Sequence, residues 1–384
     1  MPKNNTEGSP ASLAGQNPEL EQVIEWRRTL HQIPEVALDV PRTCDYILSQ
    51  LEGLYCTITQ PIDYSVAAFF DAGKDTTIAF RSDMDGLPVD EKTGVEFASK
   101  HPGRMHACGH DGHMSSLLLL AHRLNSFYRT LDHNVLLIFQ PGEETPGGAQ
   151  PILDTGLFEE KNVQAVFGLH LWPHAKKGTV TSRPGPLMSK ASEIYVDIKG
   201  KAAHAARYQE GIDALEIATR FVQQAYALEA SLPDDVYRLL RFGIFQAGRA
   251  MNVVADTCHL EGTLRAFEDE YFDELQEGIE QIRKSLEEQS GAQITVTYSS
   301  GYPAVLNDQE LYEKIEAAIP GIERLEKPVM ISEDFAAYQR AVPGVFFFLG
   351  TGTGIELHDS HFDFEEDLLL SGADLFEKIA RMKF

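Results

Sequence analysis

The stretch Thr77-Ile78-Ala79-Phe80-Arg81-Ser82-Asp83-Met84-Asp85 runs from an apolar segment into a pair of carboxylates. Thr77 to Arg81 reads as a buried strand. Three further runs have the same form: Asn134 to Phe139, Val163 to Leu169 and Val345 to Leu349. Helical segments separate them, which is the pattern of an α/β domain with a mostly parallel sheet covered on both faces. Each run is followed by side chains able to bind a metal: Asp83 and Asp85, then Glu143 and Glu144, then His170, then His358. In open α/β sheets ligands gather outside the carboxyl ends of the strands, so these groups are expected to converge.

A chain of 384 residues exceeds the usual size of one core, and two domains are expected. A helix is read from Glu19 to Gln32, after a flexible tail over 1–18. Between about Pro186 and Gly301 the rhythm changes. Ser192–Lys199 alternates as a strand, Gly211–Ala230 has helical spacing, and Val236–Gln246 and Thr257–Phe267 read as strands. A helix at Asp269–Gln289 and a strand at Gln293–Tyr298 complete a β-α-β-β-α-β, ferredoxin-like order. The reading is therefore a domain inserted over 186–300 into a larger one formed by 19–185 and 301–384.

The formal charge of −25 argues against nucleic acid or an anionic membrane as partner. No apolar run approaches the roughly 18 residues that a membrane span requires. Four cysteines, Cys44, Cys56, Cys108 and Cys258, do not make a disulfide framework in a chain of this size, so a reducing, cytoplasmic setting is expected.

Cys108 stands apart because of its neighbours, Met105-His106-Ala107-Cys108-Gly109-His110-Asp111-Gly112-His113. Thiolate and imidazole are ligands that borderline divalent metals prefer. With residues from elsewhere, Cys108, His110, Glu144, His170 and His358 form a candidate ligand set. Five exceed one tetrahedral site with an open position and suit two metals sharing a ligand, a thiolate or a carboxylate but not a neutral imidazole. In Gln140-Pro141-Gly142-Glu143-Glu144, adjacent carboxylates in a turn can face different ways, one to a metal and one to water. A Glu near pKa 4.3 faces bulk water at 15.7, a gap of roughly 15 kcal/mol; beside a metal that lowers water to about 7 the gap shrinks to roughly 4 kcal/mol. His106 and His113 are read as hydrogen-bonding within the loop or helix start, Asp83 as structural or a metal contact. Spacing alone does not choose between His358 and His361.

These motifs resemble the M20 metallopeptidase family, and within it the amidohydrolase branch acting on N-acyl-amino acids, hippurate and indoleacetyl-amino acids. The resemblance rests on Arg81–Pro88, Met105–His113, Gln140–Glu144 and Leu169-His170, with Gly200–Ala206, Asn252–Val254, Gly262–Arg265, Ser332–Phe335 and Leu357-His358. It implies that Cys108 bridges two divalent ions per subunit, Zn²⁺ or Mn²⁺ with Co²⁺ or Ni²⁺ as alternatives, and that His110, Glu144, His170 and His358 complete the shell. It also implies Glu143 as general base and proton shuttle, and Asp85 as a residue that orients a ligand. The inserted domain becomes a dimerisation (lid) domain whose His204 reaches across a homodimer to the oxyanion, with Asn252 and Arg265 on the substrate carboxylate. The implied reaction is hydrolysis of a small N-acyl-L-amino acid, N-acetyl or aromatic acyl. A dipeptidase or carboxypeptidase of the same fold, or a non-catalytic metal-binding scaffold, is the alternative. Tyr208-Gln209, Val254-Ala255 and His361 depart from the family pattern and leave the substrate open.

Overall fold

In the computed structural model, which describes residues 17–384, the four apolar runs become neighbouring strands at the centre of one sheet. Their order is Asn134–Gln140, Thr77–Asp83, Val163–Trp172, Gly344–Gly350, and each adjacent pair is parallel. All four are buried along their length apart from Gln164, as strands with both faces covered must be. Antiparallel strands flank them, Val66–Phe70 with Thr57–Thr59 on one side and Val180–Ser182 on the other, with Glu323–Arg324 at the far edge. Successive side chains point to opposite faces. Val345, Phe347 and Leu349 join the core with Leu117 and Leu120, whereas Phe346 packs on Phe335 and Phe348 on Trp172, with ring centroids 4.8 and 4.7 Å apart.

Two compact units divide the chain. The first holds the described part of 17–185, with 306–327 and 334–384; the second holds 186–305 and 328–333. The second contains an antiparallel sheet ordered Gln293–Tyr298, Lys190–Lys199, Thr257–Ala266, Arg238–Ala247, with the helices Ala214–Ser231 and Asp269–Ser290 packed on one face through Ile217, Phe221, Leu275 and Ile279. Strand order 4-1-3-2 in sequence terms is the ferredoxin-like arrangement. The units differ from the sequence reading at 301–305 and at 328–333. The latter returns to the second unit because its backbone finds partners there: Val329 pairs with Met188, and Ser189 donates to the Ile331 carbonyl at 2.8 Å.

The expected tail lies outside the described residues, except for its last two positions. Those belong to the helix Pro18–His31: Asn17 caps it, accepting the amides of Glu19 and Leu20 at 3.1 and 3.3 Å. That helix buries two cations. The Arg27 guanidinium lies between the rings of Phe97 and Phe364, at 4.6 and 4.5 Å, and donates to Asp111 at 3.0 Å and to Asp363 at 2.7 Å. His31 places Nδ1 2.7 Å from Asp111 and Nε2 3.2 Å from Glu91, so both ring nitrogens face carboxylates. Burial alone would lower its pKa, but those two carboxylates overcome burial and raise it to about 9.

A raised folded pKa makes His31 a stabilising group whose contribution is complete below the unfolded value of about 6.5 and is lost as pH climbs through about 9. The shift corresponds to a contribution on the order of 3 kcal/mol. Denaturant titrations between pH 6 and 9.5 are expected to show wild-type stability falling across that window relative to His31→Gln. Parallel profiles for the two proteins would refute the assignment.

Candidate metal centre

The ligand-bearing residues gather at the carboxyl ends of the central strands. Asp83 closes its strand, Glu143 and Glu144 lie in the loop after 134–140, and His170 sits within its strand, two residues before the end at Trp172. His110 opens the buried helix His110–Phe127. Gly109 before it has φ +85°, and a Cβ there would stand 2.8 Å from the Leu171 side chain, so only glycine satisfies both turn and packing.

Backbone carbonyls fix the tautomers of two imidazoles. His110 donates from Nδ1 to the Asp85 carbonyl at 2.7 Å, and His170 from Nδ1 to the Leu171 carbonyl at 2.7 Å. Each is left presenting an unprotonated Nε2, the arrangement that a metal-ligating histidine needs. His110 Nε2 is buried without a hydrogen bond among the described residues, and His170 Nε2 stands 3.3 Å from Cys108 Sγ. Burial pushes both pKa values down, His170 strongly, which keeps the rings neutral. His113 has no nitrogen to spare: Nδ1 donates to Asp83 at 2.7 Å and Nε2 accepts the Leu171 amide at 2.9 Å. Asp83 is spent likewise, with one oxygen on His113 and the other accepting Arg81 at 2.9 Å. Of its two readings, the structural one fits these partners.

Two donor triads share one atom. Cys108, His110 and His170 place ligand atoms within 4.8 Å of one another, and so do Cys108, Glu144 and His358. His358 reaches its place from a turn with φ +68°, its amide held by the Ala107 carbonyl at 2.9 Å and its Nε2 3.1 Å from Glu144 Oε1. His361 is exposed and bonded to Asp359 at 3.0 Å, outside both triads. Glu143 brings Oε2 to 4.0 Å from His110 Nε2. Asp85 orients these groups through the backbone, accepting the amides of Glu143 and Glu144 at 2.9 and 3.1 Å.

Burial raises the Cys108 thiol well above its ordinary pKa, and the charges of Glu144, Glu143 and Asp83 add to it. A cation beside it reverses that balance. Burial also raises Glu144, yet the nearby His358 and His110 bring it below the usual carboxylate value. Glu144 Oε1 is buried with His358 Nε2 at 3.1 Å, while His110 Nε2 is buried without a hydrogen bond among the described residues. An orphaned acceptor such as His110 Nε2 is costly unless a cation meets it, so the residues present fit divalent metal.

His106 departs from the reading. Its ring is buried with neither nitrogen hydrogen-bonded among the described residues, and burial pushes its pKa down to about 3. The His31 ring is a neighbour, with centroids 6.4 Å apart. His204, Asn252 and Arg265 lie in the second unit. His204 is exposed, and its Nδ1 accepts the Ala206 amide at 3.1 Å, which puts the proton on Nε2. The Asn252 carbonyl accepts the Ala205 amide at 2.9 Å, and His204 pairs with Val253. Arg265 donates to the Met330 carbonyl, a partner that the sequence does not announce. Unassigned at the sequence level, though inside quoted motifs, are Arg81 and Asp334, whose side chains meet at 2.7 Å beneath the Glu143 loop.

The model of Peptidase family M20/M25/M40 matches residues 79–382. The chain belongs to that family. It is similar to an uncharacterized hydrolase of Staphylococcus epidermidis, 35% identical over 376 residues that cover 94% of this chain and 98% of the relative. It is 34% identical to an N-acetyldiaminopimelate deacetylase of Shouchella clausii, over 91% of this chain and 95% of that one. Among solved structures, a Bacillus subtilis dinuclear metal binding peptidase from the M20 family superposes with a TM-score of 0.82 at 31% identity, covering 94% of this chain and 97% of that one. This M20 protein is a metal-dependent amidohydrolase.

Proposed function

We propose that the protein hydrolyses N-acyl-L-amino acids, N-acetyl or aromatic acyl, to a carboxylate and a free amino acid. The observation that carries this reading is the pair of donor triads sharing Cys108, with the Glu143 carboxylate 4.0 Å from His110 Nε2. Cys108, His110 and His170 would hold one divalent ion and Cys108, Glu144 and His358 the other, Zn²⁺ or Mn²⁺ with Co²⁺ or Ni²⁺ as alternatives, and such a pair supplies Lewis-acid polarisation of a carbonyl and a more acidic water. Glu143 takes a proton from the attacking water as its oxygen bonds to the acyl carbon, then gives that proton to the amine as the C–N bond breaks. Asp85 holds Glu143 and Glu144 in register for these roles.

His204, with its proton on Nε2, is suited to donate to an oxyanion, and it would do so at the site of a second copy. Support for a homodimer comes from the second unit's edge strand Arg238–Ala247, which leaves Ile244 and Phe245 exposed. Sedimentation showing monomer alone would remove His204 from the mechanism. Asn252 and Arg265 are proposed for the substrate carboxylate. Four free cysteines among the described residues support a cytoplasmic enzyme. No described helix is long and apolar enough to cross a membrane.

A narrower version has its own support: relatives named N-acetyldiaminopimelate deacetylase, at 34% identity, favour an N-acetyl group on an amino acid with a second charged end. The test is a panel run on metal-loaded enzyme, varying acyl group and amino acid separately beside dipeptides. Cleavage of N-acyl amino acids, with charged-ended acceptors leading, is expected. Turnover of dipeptides alone would shift the reading to an exopeptidase, and no turnover at full metal loading would shift it to a scaffold.

A further inference from the structure

Gln140 to Ala149 carries both Glu143 and Glu144, and two buried carboxylates hold it. Asp85 takes the middle of the loop, as described. Asp334, only 3% exposed, takes both ends: its Oδ2 accepts Gln140 Nε2 at 2.7 Å, the Gly148 amide at 2.8 Å and the Ala149 amide at 3.0 Å. Those ends already touch, since a Cβ on Gly148 would lie 1.9 Å from the Pro141 carbonyl oxygen. Asp334 Oδ1 accepts Arg81 at 2.7 Å. From there buried bonds run on through Asp83 and His113 to the Leu171 amide, beside His170. One side chain thus clamps the loop bearing two proposed working carboxylates and is wired to the strand bearing a proposed ligand.

We propose that Asp334 is a positioning residue that sets where the Glu143 and Glu144 carboxylates stand, an inference that rests on the hydrolase reading above. Each hydrogen bond to Asp334 named above comes from a donor, which calls for an acceptor with two oxygens, and the Glu143 carboxylate also stands within 4.8 Å of it. Asparagine has the same shape but must turn its NH₂ towards Arg81 or towards the three loop donors. Either choice sets donor against donor and frees one end of the loop. Displacements near 1 Å are enough to cost on the order of 100-fold in rate when they misplace a reacting group.

The experiment compares wild type, Asp334→Asn, Glu143→Gln and the double variant. It measures metal affinity by chelator competition, kcat and KM on the best N-acyl amino acid, and thermal unfolding. Asp334→Asn is expected to weaken metal binding by about 10–100-fold, the usual size for loss of a group that orients a ligand. At saturating metal kcat is expected to fall while KM stays within about twofold, because the loss lies in proton transfer rather than in binding. In the Glu143→Gln background the same change is expected to lower kcat by less than about threefold, since the group it aims is gone. Equal losses in both backgrounds, or wild-type metal affinity and kcat in Asp334→Asn, would overturn the proposal. Undiminished turnover in Glu143→Gln alone would instead overturn the hydrolase reading. If Asp334→Asn does not fold, Gln140→Met decides, since it removes the Gln140 clamp contact, together with the bonds Gln140 Oε1 accepts from Arg81 and Tyr338, and leaves Asp334 in place. A smaller kcat loss that also shrinks without Glu143 supports the inference, and wild-type values refute it.

Discussion

Glu143→Gln is expected to keep its full complement of metal and to lose turnover by about 10²–10⁴-fold, the range that a positioned acid–base group contributes. The substitution is nearly isosteric, and the Glu143 amide still donates to Asp85, so the loop keeps its course. Metal content is insulated because neither triad containing Cys108 uses Glu143. Only the ability to accept a proton is removed. That ability matters because a carboxylate near pKa 4.3 is a competent base only for a water whose own pKa has been brought down to about 7. Elemental analysis of the purified variant, beside kcat on the best acyl amino acid, provides the check. Full activity would sink the assignment of Glu143; loss of metal together with activity would make it a ligand.

The central strands are legible in sequence because a strand buried on both faces is apolar through its middle, and 135–139 and 345–349 are such runs. The second unit is legible for the opposite reason: one face of its sheet is solvated, so from Ser192 to Lys199 buried residues alternate with exposed or half-buried ones. The site is legible where the donors are chemically distinctive, as at Cys108 and His110. Choosing His358 over His361 is beyond spacing, because it depends on a positive-φ turn and on a carbonyl from Ala107, some 250 residues away by number. Asp334 is silent for the same reason: its partners Arg81, Gln140 and Gly148 lie 253, 194 and 186 residues off, and a carboxylate among them has no local pattern. The return of 328–333 to the second unit rests on backbone pairing, which side-chain identity does not encode. What the sequence conceals here is the support of the site rather than its chemistry.

Cys108→Ala is expected to abolish binding at both metal positions, whereas His170→Ala and His358→Ala each spare one. Cys108 belongs to both triads, while His170 and His358 belong to one apiece. Removing Cys108 leaves His110 with His170 on one side and Glu144 with His358 on the other, two protein ligands each where a catalytic site ordinarily keeps three. The fold survives the change, since the lost sulfur is comparable to one buried methylene, about 0.8 kcal/mol. Metal binding then reads out as stability: at about 1,000 times its Kd an ion raises the unfolding free energy by about 4 kcal/mol per site. Added metal should therefore shift the unfolding transition of wild type most and of the two histidine variants about half as far, and it should leave Cys108→Ala unmoved. Metal per chain after gel filtration should follow the same order. Two tightly held ions in Cys108→Ala would exclude a shared thiolate, and the bridge would then be a carboxylate of the cluster, such as Glu144.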